Sequence, residues 1–172
     1  MYHYNCKYKL CLTSHVRVQA CGAARLITRL YNEELRGHLE AAQFGLLAAL
    51  DKRPGCACRP AAVIHAQAVS NATQAMLARA LGFDKTTASR NLSLMKRKGW
   101  IEYTAATDRR ERGLHLTSAG RKLVKISIPA WKRAQHRLRS AMTADQWSAM
   151  WQAFRDITNA VYQAQNEKGS ET

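Results

Sequence analysis

Apolar residues recur at helical spacing through the first third of the chain. Their period of three to four residues predicts a helix from Val16 to about Arg36, and Gly37 is suited to ending it. A second apolar run, residues 40–52, ends before Pro54-Gly55. The pattern predicts two helices, followed over residues 56–71 by a loop or an extra helical piece without a clear period.

The next segment predicts two helices joined by a tight turn. Thr73 is suited to capping a short helix that ends at Leu81, and Gly82 can take the left-handed conformation that stops it. Asp84 can then cap a second helix over residues 85–98, whose inward apolar positions are spaced by four and three. This is the pattern of a helix-turn-helix.

Two short strands are expected after this helix, and a long helical region after them. Residues 100–103 and 113–116 flank a polar tip at 104–112, so a hairpin is the natural connection. A long helix should begin at Thr117 or Ser118 and bend near Pro129. The fold class predicted is mainly α with a small β-hairpin wing.

The last helix carries one apolar stripe. Thr143 and Gln146 form a capping-box pattern at its start. The stripe consists of Trp147, Met150, Trp151, Phe154, Ile157 and Val161. A stripe this apolar needs a partner surface, which a second subunit can supply. A homodimer is therefore expected, with a frayed tail after Gln165.

Charge narrows the class of partner. The 172 residues include 27 Lys or Arg against 12 Asp or Glu, a net charge of +15 with a pI near 10.1. Such an excess predicts binding to a polyanion, either nucleic acid or an acidic membrane surface. No apolar run reaches the roughly 18 residues of a membrane span, and residues 1–15 lack the apolar core of a signal peptide. A cytoplasmic protein with no membrane partner is expected.

The outer face of the helix over 85–98 has the chemistry of a DNA-reading surface. A helix fits the major groove of duplex DNA, where small polar side chains and long cations reach base edges and phosphates. Arg90 could pair bidentately with guanine. The candidate residues are Lys85, Thr86, Thr87, Ser89, Arg90, Asn91, Ser93 and Arg97. Considered alone, this helix could equally be an amphipathic helix with a solvated polar face.

The hairpin tip favours the DNA-binding interpretation over a solvated charge cluster. Arginines on a loop beside a groove-binding helix can enter the narrow minor groove, where the negative potential attracts them. Asp108 and Glu111 can hold those arginines by charge-assisted hydrogen bonds. The candidate wing residues are Asp108, Arg109, Arg110 and Arg112.

Four motifs together resemble the MarR family of bacterial regulators. They are Leu77 to Leu92, Lys98-Gly-Trp-Ile101, Asp108-Arg-Arg110 and Leu116-Thr-Ser-Ala-Gly120, in that order and spacing. The resemblance implies a dimeric winged helix-turn-helix regulator, usually a repressor, that binds pseudopalindromic double-stranded DNA. It further implies release from DNA by small ligands, often phenolic or otherwise anionic, or by oxidants. The effector itself is unknown.

The resemblance also divides the chain. Residues 1–15 are an N-terminal arm, 16–37 and 121–165 the interleaved dimerisation helices, and 38–120 the winged helix-turn-helix domain. Residues 56–72 are an insertion relative to compact members, and 166–172 a tail. By the same resemblance the recognition helix is 85–97, and the wing-tip role falls to Arg109 or Arg110.

Five cysteines are an odd number, unsuited to a complete disulfide framework. Cys11 and Cys21 lie near the place where peroxide-sensing MarR proteins keep a reactive cysteine, and Arg17 could lower the pKa of a neighbouring thiol. A thiol- or metalloid-responsive sensor on the same DNA-binding frame is therefore an alternative. Cys56, Cys58 and His65 could bind a soft metal, but their spacing is not that of a structural zinc site. Inert thiols, no metal and no cofactor are the expectation.

Other function classes fit less well. The sequence has no phosphate-cradling glycine loop, metalloprotease helix motif or nucleophile elbow, and its histidines lack ligand spacing. An enzyme is therefore not expected. A sequence-blind architectural DNA-binding protein stays open, because net charge alone gives salt-dependent affinity for any duplex.

Overall fold

The computed structural model describes residues 15–51, 72–104 and 113–167, and side chains as far as residue 164. Over these residues the chain is mainly helical, with one two-stranded antiparallel sheet. The elements in chain order are α1 (Val16–Leu35), α2 (Ala41–Leu50), α3 (Gln74–Leu81), α4 (Lys85–Arg97), β1 (Ile101–Tyr103), β2 (Leu114–Leu116), α5 (Ser118–Ser140) and α6 (Ala144–Glu167). The predicted fold class is confirmed, and wherever the sequence predicted a bound of one of these elements, the observed bound lies within two residues of it.

The turn between α3 and α4 has the local chemistry that its sequence predicted. The Thr73 hydroxyl oxygen accepts a 3.3 Å hydrogen bond from the Met76 amide at the start of α3. Gly82 ends that helix at φ 67°, in the left-handed region that a residue with a Cβ rarely adopts. Asp84 then caps α4 through its side chain. Three short-range signals thus set the angle between the two helices.

The sheet pairs Ile101 with Leu116, Glu102 with His115 and Tyr103 with Leu114. Because side chains alternate across a strand, Ile101 and Leu116 are buried while Glu102 stays exposed. The sequence pattern did not predict that Ala72 would bridge to Leu114, whose amide donates to the Ala72 carbonyl oxygen at 2.9 Å. This bridge ties the residue before α3 to the hairpin.

The chain forms two compact units, one up to residue 131 and one from residue 132 onward. In the first unit the core centres on α2, a helix of ten residues that is apolar on nearly every side. Its Phe44 ring stacks on Trp131 with 6.1 Å between ring centroids. The fully buried large side chains include Leu35, Leu46, Leu47, Leu77, Leu92 and Met95. Each contributes about 1.5–3 kcal/mol through its burial.

The second unit contains the end of α5 and all of α6. The predicted capping box is present, because Thr143 Oγ1 accepts from the Gln146 amide and Gln146 Oε1 accepts from the Thr143 amide. Trp147 and Trp151 meet edge to face, as do Trp151 and Phe154. Nevertheless Trp151 is 43% exposed and Ile157 53% exposed. The stripe is therefore present and largely uncovered.

Helix α1 is similarly uncovered over most of its length. Val16 is 72% exposed and Leu26 69% exposed, and within α1 only Leu35 is buried. None of the helices in the described ranges is both long enough and apolar enough to cross a membrane.

Candidate nucleic-acid interface

The start of α4 is fixed by two hydrogen bonds between Asp84 and Thr87. Asp84 Oδ1 accepts from the Thr87 amide at 2.8 Å, and Asp84 Oδ2 accepts from the Thr87 hydroxyl at 2.6 Å. The hydroxyl bond first, and then the amide bond, lower the pKa of the Asp84 carboxyl below its ordinary value of 3.8. The carboxylate is therefore ionised at neutral pH and caps the positive end of the helix dipole.

One side of α4 faces the core and the other faces solvent. The buried side consists of Ala88, Leu92 and Met95, which are fully buried. Six of the eight predicted DNA-reading residues are exposed: Lys85, Thr86, Ser89, Arg90, Ser93 and Arg97. These six form an outward face of three cations and three hydroxyls, to which we refer as the outer face of α4.

The other two predicted residues have their polar groups engaged within the helix. Thr87 is half-buried and its hydroxyl donates to Asp84. Asn91 is half-buried, and its Nδ2 donates to the Thr87 carbonyl oxygen at 3.0 Å. Both side chains therefore order the first turns of α4, and neither offers an unused donor as readily as the outer face does.

The end of α4 is connected directly to the start of α5. Gly99 adopts φ 68°, and its carbonyl oxygen accepts a 2.6 Å hydrogen bond from the Thr117 hydroxyl. The same Thr117 oxygen accepts from the Gly120 amide at 3.1 Å, which caps α5. One side chain thus joins the last turn of α4, the end of the hairpin and the first turn of α5.

A cross-strand contact lies at the base of the hairpin. His115 Nε2 lies 2.9 Å from Glu102 Oε1, and Lys96 lies over the Tyr103 ring. The Thr104 amide donates to the Gly113 carbonyl oxygen at 2.8 Å where the tip leaves the sheet. The predicted tip residues Asp108, Arg109, Arg110 and Arg112 lie outside the described residues.

A cleft of about 860 Å³ opens between α1, the start of α2 and the end of α4. Its lining contains more cations than acids: Arg25, Arg29, Arg36 and Lys98 against Glu33 and Glu40. Arg29 lies 3.6 Å from Glu33, which offsets part of this charge. The sequence pattern did not predict this cleft. The signal was the spacing of Arg25, Arg29 and Glu33 by four residues, which places them on one side of α1.

One of the two cysteines proposed for a thiol- or metalloid-responsive sensor, Cys21, lies within the described residues. Cys21 is an exposed free thiol on α1, one turn after the exposed Arg17. Cys11, Cys56, Cys58 and His65 lie outside the described residues. Cys21 is therefore accessible to oxidants or metalloids in the isolated chain.

The same fold recurs in solved bacterial regulators. PcaV from Streptomyces coelicolor, solved with its natural ligand, superposes with a TM-score of 0.67 at 18% identity, over 90% of this chain and 99% of that one. MosR from M. tuberculosis, solved with DNA, gives a TM-score of 0.69 at 23% identity, over 88% and 98%. BpsR from Bordetella bronchiseptica, whose DNA binding is regulated by 6-hydroxynicotinic acid, gives 0.66 at 17%, over 92% and 98%.

These likenesses establish the fold. No curated protein matches the chain. A family model described as MarR family matches residues 39–111, the range that contains α2, α3, α4 and β1. Over these residues the chain is similar to the MarR family, and its fold is that of solved winged-helix transcriptional regulators.

Proposed function

We propose that the chain is a homodimeric, sequence-specific double-stranded DNA-binding regulator that acts as a repressor and is released by a small anionic ligand. The observation that carries the proposal is the outer face of α4. Its cations and hydroxyls are exposed on a helix whose opposite side is fully buried, and its first turn is held by Asp84. A helix with this distribution can enter the major groove without losing any core contact.

Within this proposal the residues of α4 have different tasks. Arg90 stands near the middle of the outer face and pairs with guanine O6 and N7, the commonest specific contact of an arginine. Thr86 and Ser89 donate to phosphates or base edges. Lys85 and Arg97 neutralise phosphates at the two ends. In the wing, Arg109, Arg110 and Arg112 enter the minor groove and Asp108 orients them.

The exposed apolar faces of α1 and α6 support the homodimer. Trp151, Phe154, Ile157 and Val161 are each between 43% and 53% exposed on α6. A contiguous face of this kind marks an interaction surface, and a second copy would cover it. The two-fold axis would place two copies of α4 about 34 Å apart, the repeat of one DNA turn, so a pseudopalindromic operator follows.

The cleft supports release by a small ligand. Its volume of about 860 Å³ lies within the range of roughly 300–1,000 Å³ that small-molecule sites occupy. Its excess of cations favours an anionic or phenolic molecule. Because Leu94 and Lys98 of the α4 end line it together with α1, a ligand there can favour a different angle of α4. The 6-hydroxynicotinic acid that regulates DNA binding by BpsR is a molecule of this class.

A second candidate signal is thiol chemistry, favoured by the exposure of Cys21. Oxidation or arsenite would then release DNA from the wild-type protein. Substitution Cys21→Ser, or Cys11→Ser, would abolish that response and leave release by small anions unchanged.

The proposal is tested by selecting bound duplexes from a random pool and then measuring release. We expect enrichment of paired half-sites spaced by one DNA turn, and a marked loss of affinity when about five base pairs are inserted between them. Candidate aromatic acids are then titrated against the complex. Equal binding of selected and random duplexes would contradict sequence-specific recognition and favour the architectural alternative.

A further inference from the structure

Helix α5 carries an unusual distribution of charge. It contains seven Lys or Arg residues and no Asp or Glu. Indeed no acidic residue occurs in the sequence between Glu111 and Asp145. In the first compact unit α5 contributes Arg121, Lys122 and Lys125, all of them exposed. The contacts proposed for the outer face of α4 and for the wing do not use these three cations.

The three cations lie on one side of α5. At about 100° per residue, Arg121, Lys122 and Lys125 fall within an arc of about 100°. The opposite side contains Val124 and Ser127, which are fully buried. The three cations therefore lie on the side of α5 that faces away from the core.

This part of α5 is held against the end of α4. Thr117 donates to the Gly99 carbonyl oxygen, and Arg121 Nη1 donates at 2.7 Å to the Leu116 carbonyl oxygen. Gly120 approaches the Trp100 carbonyl oxygen so closely that a Cβ would not fit. The start of α5 is therefore a rigid continuation of the segment that follows the recognition helix.

Both helices carry cations next to the residues that join them. The last turn of α4 and the residue that caps it contribute Lys96, Arg97 and Lys98, also exposed. The acid in β1, Glu102, lies across the strand pair against His115, with 2.9 Å between Oε1 and Nε2. Arg97 belongs to the outer face of α4, and we call the other five cations the basic seam: Lys96, Lys98, Arg121, Lys122 and Lys125.

We infer that the basic seam is a second, sequence-independent DNA surface that binds phosphates of the duplex beyond the groove contacted by the outer face of α4. This inference rests on the proposed function, since the same duplex must reach both surfaces. Duplex DNA carries one charge per roughly 1.7 Å of its axis, and each phosphate that a cation neutralises releases condensed counterions. The cations on the α5 side recur along one side of the helix, which suits a repeating backbone charge.

The test compares two charge-matched double variants. Lys122→Gln with Lys125→Gln removes two cations of the basic seam, whereas Arg17→Gln with Arg155→Gln removes two exposed cations from α1 and α6. Affinity for a selected operator and for a random duplex is measured from 50 to 300 mM salt. The seam variant should make the negative slope of log affinity against log salt shallower by roughly 1.8 on both duplexes, at about 0.9 per lost phosphate contact. The α1 and α6 control should leave the slope unchanged.

Equal slopes for the two double variants would overturn the inference, because net charge alone would then explain binding. A loss confined to the operator would overturn it as well. Folding is checked by circular dichroism, and the single variant Lys125→Gln, with an expected change of roughly 0.9, serves if the double variant unfolds. Weaker binding of the seam variant to polyglutamate or to phosphatidylserine vesicles, with DNA binding unchanged, would assign the seam to an acidic protein or a membrane instead.

The outcome can be separated from failure of the proposed function. If the wild-type protein shows no preference for any selected duplex while the seam variant still has a shallower salt slope, sequence-specific regulation fails. The inference that the basic seam binds phosphates is then still supported. If the wild-type protein prefers a selected duplex and the seam variant keeps the wild-type salt slope, sequence-specific binding stands and the inference about the basic seam fails.

Discussion

The hydroxyl of Thr117 donates a 2.6 Å hydrogen bond to the carbonyl oxygen of Gly99, across eighteen positions of the chain. The Thr117 amide also donates to the Trp100 carbonyl oxygen at 3.1 Å, beside the β1–β2 pairing. The recognition helix, the hairpin and the start of α5 are therefore connected at one residue. The start of α5 and the end of α4 are thus held together by the side chain of Thr117.

Replacing Thr117 with Val should destabilise the protein by about 1–2 kcal/mol. The substitution keeps the shape but leaves the Gly99 carbonyl oxygen and the Gly120 amide without their side-chain partner. Thr117→Ser keeps the hydroxyl and should lose much less. Urea unfolding measures both, and equal stability of the Val variant and the wild type would show that the bond contributes nothing.

Gly120→Ala should cost about 1–3 kcal/mol, because a Cβ at this position collides with the Trp100 carbonyl oxygen and crowds the Leu116 side chain. Gly45→Ala in α2 is the matched control. A Cβ there meets nothing within 4 Å, so that variant should be neutral or more stable by about 0.5–1 kcal/mol. Thermal unfolding compares the two, and a stable Gly120→Ala protein would mean that α5 does not need its close approach to β1.

Local signals explain why so much of the fold could be predicted from the sequence. Gly82, Asp84 and the Thr143–Gln146 pair act within four residues of their own position, so their roles are readable from the chain alone. The Ala72 bridge to Leu114 and the Thr117 bond to Gly99 join residues far apart, and no periodicity encodes them. The cleft was missed for the same reason, since its walls come from α1, α2 and α4.

For the predicted recognition residues, too, the sequence predicted which side of the helix is buried but not which side-chain contacts form. Helical periodicity separated the buried Ala88, Leu92 and Met95 from the polar face. It could not show that Thr87 and Asn91 are half-buried and engaged with each other and with Asp84, because that depends on side-chain rotamers. The wing-tip residues and Cys11 lie outside the described residues, so their roles remain predictions.

The lowered pKa of Asp84 predicts a pH-dependent contribution to stability. As pH falls, the unfolded chain takes up a proton near the ordinary value of 3.8, before the folded chain does. The contribution is therefore fully present above pH 3.8 and is lost as pH falls through the lower pKa of the folded state. The melting temperature of wild type should exceed that of Asp84→Asn at neutral pH, and the difference should shrink below pH 3.8. A difference that does not change with pH would rule out the ionised cap.

Charges on the apolar stripe of α6 should break the homodimer. Phe154→Glu with Ile157→Glu places two carboxylates on a face that is about half exposed in the single chain. Sedimentation should show a dimer for wild type, and a monomer with weaker operator binding for the variant. Asn159→Glu with Gln163→Glu adds the same charge to the opposite side of α6 and should stay dimeric. A double variant of the stripe that keeps the dimer mass would refute this interface.

The ratio of affinities for the selected operator and for a random duplex tests the central claim most directly, when it is measured for wild type and for Arg90→Ala at one salt concentration. Arg90 is exposed on the outer face of α4, so its removal should leave folding intact. We expect the variant to lose about 1–3 kcal/mol on the operator and its preference at one base position per half-site, with random-duplex affinity nearly unchanged. An equal loss on both duplexes, or no loss on the operator, would contradict base reading by this helix.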